Sequence, residues 1–165
     1  MHNILPLWRK YLLFFLTFFP VFIIDQLTKS WALRNLSQAP IPVVEGIFDL
    51  KIRRNYGSAF GFIQLNVTWY VLITIVVTVV FLWLVQRNGT VNSGLIVGGG
   101  GLFLAGAWGN QFDRLRYGYV VDFFEPSFWP TFNVADLGIA VGLILVVWGF
   151  WRREFSDEER ENTGL

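Results

Sequence analysis

The chain of 165 residues carries four long apolar runs, at about 11–33, 67–85, 94–112 and 134–151. Each is roughly 18 to 23 residues, the length a helix needs to cross a hydrocarbon core about 30 Å thick. The connections 34–66 and 113–133 are long and mixed, whereas 86–93 is a short turn. In the first of these loops Phe48, Leu50 and Ile52 alternate with Asp49, Lys51 and Arg53. That period of two predicts a short strand with one apolar and one charged face, preceded by a turn at Glu45-Gly46. The pattern as a whole predicts an all-α membrane protein: one integral domain over 1–165, four transmembrane helices, and a small sheet lying on the membrane surface.

The third run differs from the others in its glycines. Gly94, Gly98, Gly101, Ala105 and Gly109 recur about four apart, a small-residue face that lets helices approach closely in lipid. The first run is too long for a cleaved signal peptide and is followed by no small-x-small site, so it reads as a retained span. Lys and Arg divide evenly between the two sides. The flanking pairs Arg9-Lys10 and Arg152-Arg153 place both termini in the cytoplasm and the loops 34–66 and 113–133 outside.

Composition narrows the chemistry. Hydrophobic residues make up 54% of the chain and the net charge is only +1, which suits no nucleic-acid partner. Absence of cysteine and a single histidine, His2, exclude thiol nucleophiles, Ser-His-Asp catalysis and the usual Cys or His metal sites. Catalysis would fall to Asp, Glu, Lys, Ser, Thr, Tyr or Arg. The charged tail from Arg152 to Glu161 reads as a solvated end.

The unusual polar residues gather at the external face. Asp136 opens the fourth run three residues after Asn133. By itself it could simply complement the positive end of a helix capped by Asn133. Asp122, however, lies alone in Val120-Val121-Asp122-Phe123-Phe124, where desolvation raises a carboxyl pKa. Two such carboxyls brought together share one proton, so one is base toward water while the other donates. Asp113 beside Arg114 and Arg116 reads as a charge-paired helix end, and Asp25 with Lys29 as an i, i+4 ion pair. A rival nucleophile is Ser58 activated by Lys29, against which stands the pairing of Lys29 with Asp25.

Together these stretches resemble the lipoprotein signal peptidase family, signal peptidase II. The resemblance rests on Asp25-Gln26-Leu27-Thr28-Lys29, Asn55-Tyr56-Gly57-Ser58-Ala59-Phe60-Gly61, Gly109-Asn110-Gln111-Phe112-Asp113-Arg114, Val121-Asp122-Phe123 and Phe132-Asn133-Val134-Ala135-Asp136, in this order across four spans. It implies a bacterial inner-membrane aspartic peptidase with a β-cradle outside the membrane. Such an enzyme removes the signal peptide of diacylglyceryl-modified prolipoproteins just before the lipidated cysteine. It further implies Asp122 and Asp136 as catalytic dyad. Asp25, Lys29, Asn55, Gly57, Asn110, Asp113, Arg114, Asn133 and Ala135 would line or brace the site. No metal or other cofactor is implied, membrane lipid is a partner, and nothing demands more than a monomer. Family members often carry Ala where Ser58 stands. Phe123, Phe124, Phe128 and Trp129 are expected to border the lipid or signal-peptide groove. Two alternatives use the same acids: a small proton-coupled transporter or channel subunit, and a non-catalytic assembly factor. A transporter would need polar groups in the cytoplasmic half, where spans two to four offer almost none.

Overall fold

A computed structural model describes residues 5–57, 66–87 and 93–163, with side chains of the last helix described to residue 155. The element order is α1 (Leu7–Asn35), β1 (Ile41–Val44), β2 (Phe48–Asn55), α2 (Val67–Gln86), α3 (Gly94–Tyr117), β3 (Val120–Pro126) and α4 (Val134–Thr163). Each apolar run is helical; α1 outlasts its predicted run at both ends and α3 and α4 at their C-terminal ends, so that residues 113–117, expected as loop, continue α3. Of the described helices, α1, α2 and the 134–155 part of α4 are long and apolar enough to cross a membrane. Helix α3 is diluted by glycine and ends in Asn110, Gln111, Asp113 and Arg114.

That dilution is what makes α3 central. It packs most extensively on α4, then on α1 and then on α2. The predicted small-residue face meets α1: Gly98 lies against Leu13 and Thr17, Gly101 against Thr17 and Phe14, and Gly109 against Asp25. A second set, which a spacing of four does not pick out, faces α4, where Gly99 approaches the backbone of Gly142. Trp108 Nε1 donates to Thr78 Oγ1 at 3.0 Å and ties α2 to the same helix. Phe14, Val85, Ile96, Val97 and Leu104 form the apolar core between α1, α2 and α3. Outward faces remain apolar, with Leu72, Val76, Val79, Ile144 and Val147 among the exposed side chains, as lipid-facing helices require.

The sheet is larger than the pattern predicts. The expected strand and turn are there as β2 and Gly46, whose φ is +73°. Strand β1 adds to one side and β3 to the other, all antiparallel in the order β1-β2-β3. Residues 120–126, read from sequence as loop, form β3 because Val-Val-Asp-Phe is buried on both faces and so shows no alternation. Pairing sets Arg53 opposite Asp122 and Asn55 opposite Val120. Phe123 correspondingly belongs to a second core with Ala32 and Leu36, with Leu50, Ile52, Phe124 and Val134 packed against it. The expectation that Phe123 borders a groove therefore fails; Phe128 and Trp129 are the exposed pair at 78% and 58%.

Lys10 also departs from its expected place as a flanking surface cation. It is buried and donates from Nζ to Val85 O at 3.4 Å, closing α1 against the end of α2.

Candidate active site

At the sheet end of the bundle α1, α3, β3 and the start of α4 meet, and each brings a carboxylate. The start of α4 is a capping box: Asp136 N donates to Asn133 Oδ1 at 3.0 Å, and Asn133 N donates to Asp136 Oδ2 at 3.1 Å. The reading of Asp136 as a helix-start carboxylate is thus correct as far as it goes. Its other oxygen, Oδ1, accepts from Asn110 Nδ2 at 2.9 Å.

Asn133 does more than cap. Fully buried, it directs Nδ2 to Asp122 Oδ1 at 2.7 Å, with Asn110 Oδ1 at 3.1 Å and Val121 O at 3.3 Å also in reach. One residue therefore touches both carboxyls that the sequence singles out, Asp122 through its side-chain amide and Asp136 through its backbone N–H. The second oxygen of Asp122 accepts from Asn55 Nδ2 at 3.0 Å. Asp122 is 2% exposed. Burial first, and the negative charge of Asp136 second, lift its carboxyl to about 7; the Asn55 and Asn133 donors and the charge of Lys29 pull the other way.

Behind this pair lies an ion cluster. Lys29 Nζ stands 2.9 Å from Asp25 Oδ2 and 2.9 Å from Asp113 Oδ2, and donates to Asn110 Oδ1 at 3.0 Å. All three donor positions of the Lys29 amine are thus taken up within this cluster. Ser58, the rival nucleophile, lies outside the described residues. Asp113 pairs with Lys29 rather than with its neighbouring arginines, and it also accepts from Val121 N at 3.1 Å, which anchors β3 beside α3. Asp25 Oδ1 accepts from Ala135 N at 2.8 Å and so holds the first turn of α4. Gln26 adds Nε2 contacts to Asp25 Oδ2, Gly109 O and Asp113 Oδ1 at 3.0, 3.2 and 3.3 Å.

Arg114 turns to the other side of α3. Its Nη2 donates to Gly57 O at 2.8 Å and its guanidinium stacks over Tyr70 at 4.4 Å. Gly57 N in turn donates to Asn55 Oδ1 at 3.0 Å, so the end of β2 is pinned beside Asp122. A groove of about 440 Å³ opens here, lined among others by Asn55, Tyr70, Gln111, Arg114, Trp129 and Asp136. Asp136 faces the groove; Asp122 lies behind Asn55. Two buried polar atoms lack a hydrogen-bond partner among the described residues, Gln111 Oε1 and Arg114 Nε. A group left in that condition costs about 1–3 kcal/mol. No group of three or more His, Cys, Asp or Glu with metal-holding geometry occurs among the described residues.

Every site residue expected from sequence falls in this one assembly. Two that sequence reading left without a role are Gln26, which bridges two acids of the ion cluster, and Gln111, which faces the groove. Both sit inside stretches already singled out, one position from a charged or amide residue, and only the turn of the helix decides which way they point.

Apolar helices around buried, amide-bridged carboxyls define a polytopic membrane protein. Comparison with known proteins identifies which. A sequence profile described as signal peptidase (SPase) II matches residues 17–152. The lipoprotein signal peptidase of Halothermothrix orenii is 34% identical over 135 residues, covering 81% of this chain and 92% of its own. That of Anoxybacillus flavithermus is 37% identical over 167 residues, covering 96% and 94%. A bacterial membrane enzyme solved by the in meso method at 1.9 Å superposes with a TM-score of 0.72 at 26% identity, covering 91% of this chain and 97% of that one. Another, at 2.3 Å, gives 0.75 at 25% identity over 92% and 93%. The chain belongs to the signal peptidase II family, a family of peptide hydrolases, and the transporter alternative is not favoured.

Proposed function

We propose that this chain is an aspartic endopeptidase that cleaves the signal peptide from diacylglyceryl-modified prolipoproteins just before the lipidated cysteine, with Asp122 and Asp136 as its catalytic dyad. The observation that carries this reading is Asn133, whose amide holds Asp122 while its backbone and side chain hold Asp136. Asp122, buried and raised to about 7, holds the shared proton. Asp136, facing the groove, takes a proton from water as it attacks the scissile carbonyl. Asp122 donates toward the carbonyl oxygen, and the proton taken up by Asp136 passes to the leaving amine. Asp25, Lys29 and Asp113 set the position of α4 and β3; Asn55, Gly57, Asn110 and Arg114 set the position of the groove wall.

The proposal includes the placement of the chain. It is one integral domain in the bacterial inner membrane, spanning four times with α3 enclosed by the other three helices. Both termini are cytoplasmic and the dyad lies at the external face, at the depth where a diacylglyceryl anchor presents its cysteine. It acts as a monomer on a substrate delivered by membrane lipid. Enclosure explains why α3 alone tolerates so much glycine and so polar an end.

The test uses purified protein in detergent and a diacylglyceryl-modified lipobox peptide. Asp122→Asn and Asp136→Asn are each expected to lower cleavage by about 10²–10⁴-fold with folding intact, and a chelator to leave the parent unaffected. Cleavage by both variants would remove the dyad. A well-folded parent that leaves the lipopeptide whole would remove the substrate assignment.

A further inference from the structure

Asn110 and Gln111 are adjacent amides on α3 with opposite fates. Every polar atom of the Asn110 side chain is engaged, by Lys29, Asn133 and Asp136. One step around the helix, Gln111 is 6% exposed and its Oε1 is buried without a partner among the described residues. It lies on the groove-lining face of α3 with Ala107 one turn before and Arg114 one turn after. Buried acceptors in native proteins are nearly always satisfied, so an orphan of this kind needs a cause.

The reaction supplies one. A scissile peptide bond cannot be attacked while it sits in a helix, because the segment must be drawn out before water and two carboxyls can reach its carbonyl. Drawing it out breaks backbone hydrogen bonds, and in a site with little water the freed N–H groups have to be met by protein. Asp136 cannot serve, since its oxygens accept from Asn110 and Asn133 and its task is the attacking water. We propose that Gln111 Oε1 accepts a hydrogen bond from one backbone N–H of the unwound substrate beside the scissile bond. Gln111 is then a substrate-binding residue that selects for an extended, unmodified backbone at one position. The assignment rests on the proposed peptidase reading of the groove.

A set of diacylglyceryl lipobox peptides, each with one peptide bond near the cleavage point replaced by an ester, removes one N–H at a time. Gln111→Leu, which keeps bulk and loses the acceptor, is expected to lower kcat/KM about tenfold. One ester substrate is expected to lose about the same factor with the parent and to lose nothing more with Gln111→Leu. Should Gln111→Leu fold poorly, Gln111→Met makes the same removal with a more adaptable chain. The proposal is overturned if a folded variant cleaves the all-amide peptide like the parent, or if its loss multiplies with that of every ester alike. A parent that leaves the all-amide peptide whole overturns the peptidase reading together with this one, whereas a cleaving parent beside an indifferent variant overturns this one alone.

Discussion

At Asp122 one carboxyl is asked to be buried and to hold a proton near neutrality. On the proposed reading, its value of about 7 places the loss of the dyad's shared proton near neutral pH. Above that point the doubly ionised pair accumulates, and kcat/KM is expected to fall about tenfold per pH unit. Asn55 shapes the position of that limb because its amide favours the charged form. In Asn55→Ala that support is gone, the Asp122 carboxyl rises further, and the alkaline limb is expected to move to higher pH. A pH–rate profile of parent and variant on the same lipopeptide checks this; a limb that stays put or moves to lower pH refutes it. The acids themselves were legible in the sequence, since a lone Asp among Val and Phe is costly to desolvate and stands out from every neighbour. The orphan amide of Gln111 was not, because nothing in the order of residues distinguishes a satisfied amide from an unsatisfied one.

The elements are set by close approaches that only particular residues allow. Two glycines of α3 show how differently the same substitution acts. At Gly109 an added Cβ would lie 2.6 Å from Asp25 Oδ2 and 3.4 Å from the Ala135 side chain, so it would push α1 away from α3 and strip Lys29 of a partner. At Gly118, which stops α3 in the left-handed region with φ +79°, nothing stands within 4 Å. Gly118→Ala is expected to cost about 1 kcal/mol of stability and to leave cleavage near the parent level. Gly109→Ala is expected to abolish cleavage and lower the unfolding temperature in detergent by far more. Similar effects of the two would contradict this account of the seam. Helices were the most legible elements, since each apolar run is longer than any strand. Strand β2 was legible because one face is charged. Strand β3 was not, because a strand covered on both sides writes no alternation into its sequence.

At the scale of the molecule, apolar surface divides into parts that hold the fold and parts that face outward for another purpose. The four aromatic residues of 123–129 lie on both sides of that division. Phe123 is fixed in the core beneath the sheet, and Phe123→Ala is expected to cost about 3–5 kcal/mol. Phe128, 78% exposed, is expected to leave thermal unfolding in detergent unchanged when made Ala, while raising KM for the lipopeptide severalfold. Equal effects of Phe128→Ala on unfolding and on KM would count against a substrate-facing role. Sequence alone treats the four aromatics as one group, because burial is decided by the pairing of β3 with β2 and not by the residues themselves.

Between α2 and α4 the described part of the bundle presents α3 to the groove. The groove is bounded by Tyr70 from α2, Ala107 from α3, and Ile139 and Ala140 from α4, while α2 packs on α3 and lightly on α1. On the proposed reading, a substrate helix anchored in the bilayer would reach this groove sideways from the lipid without passing through water. The encounter is then a two-dimensional one. Its rate follows the number of substrates per lipid molecule rather than per litre, and expanding the bilayer at fixed amounts of enzyme and substrate slows turnover as surely as dilution slows a soluble enzyme.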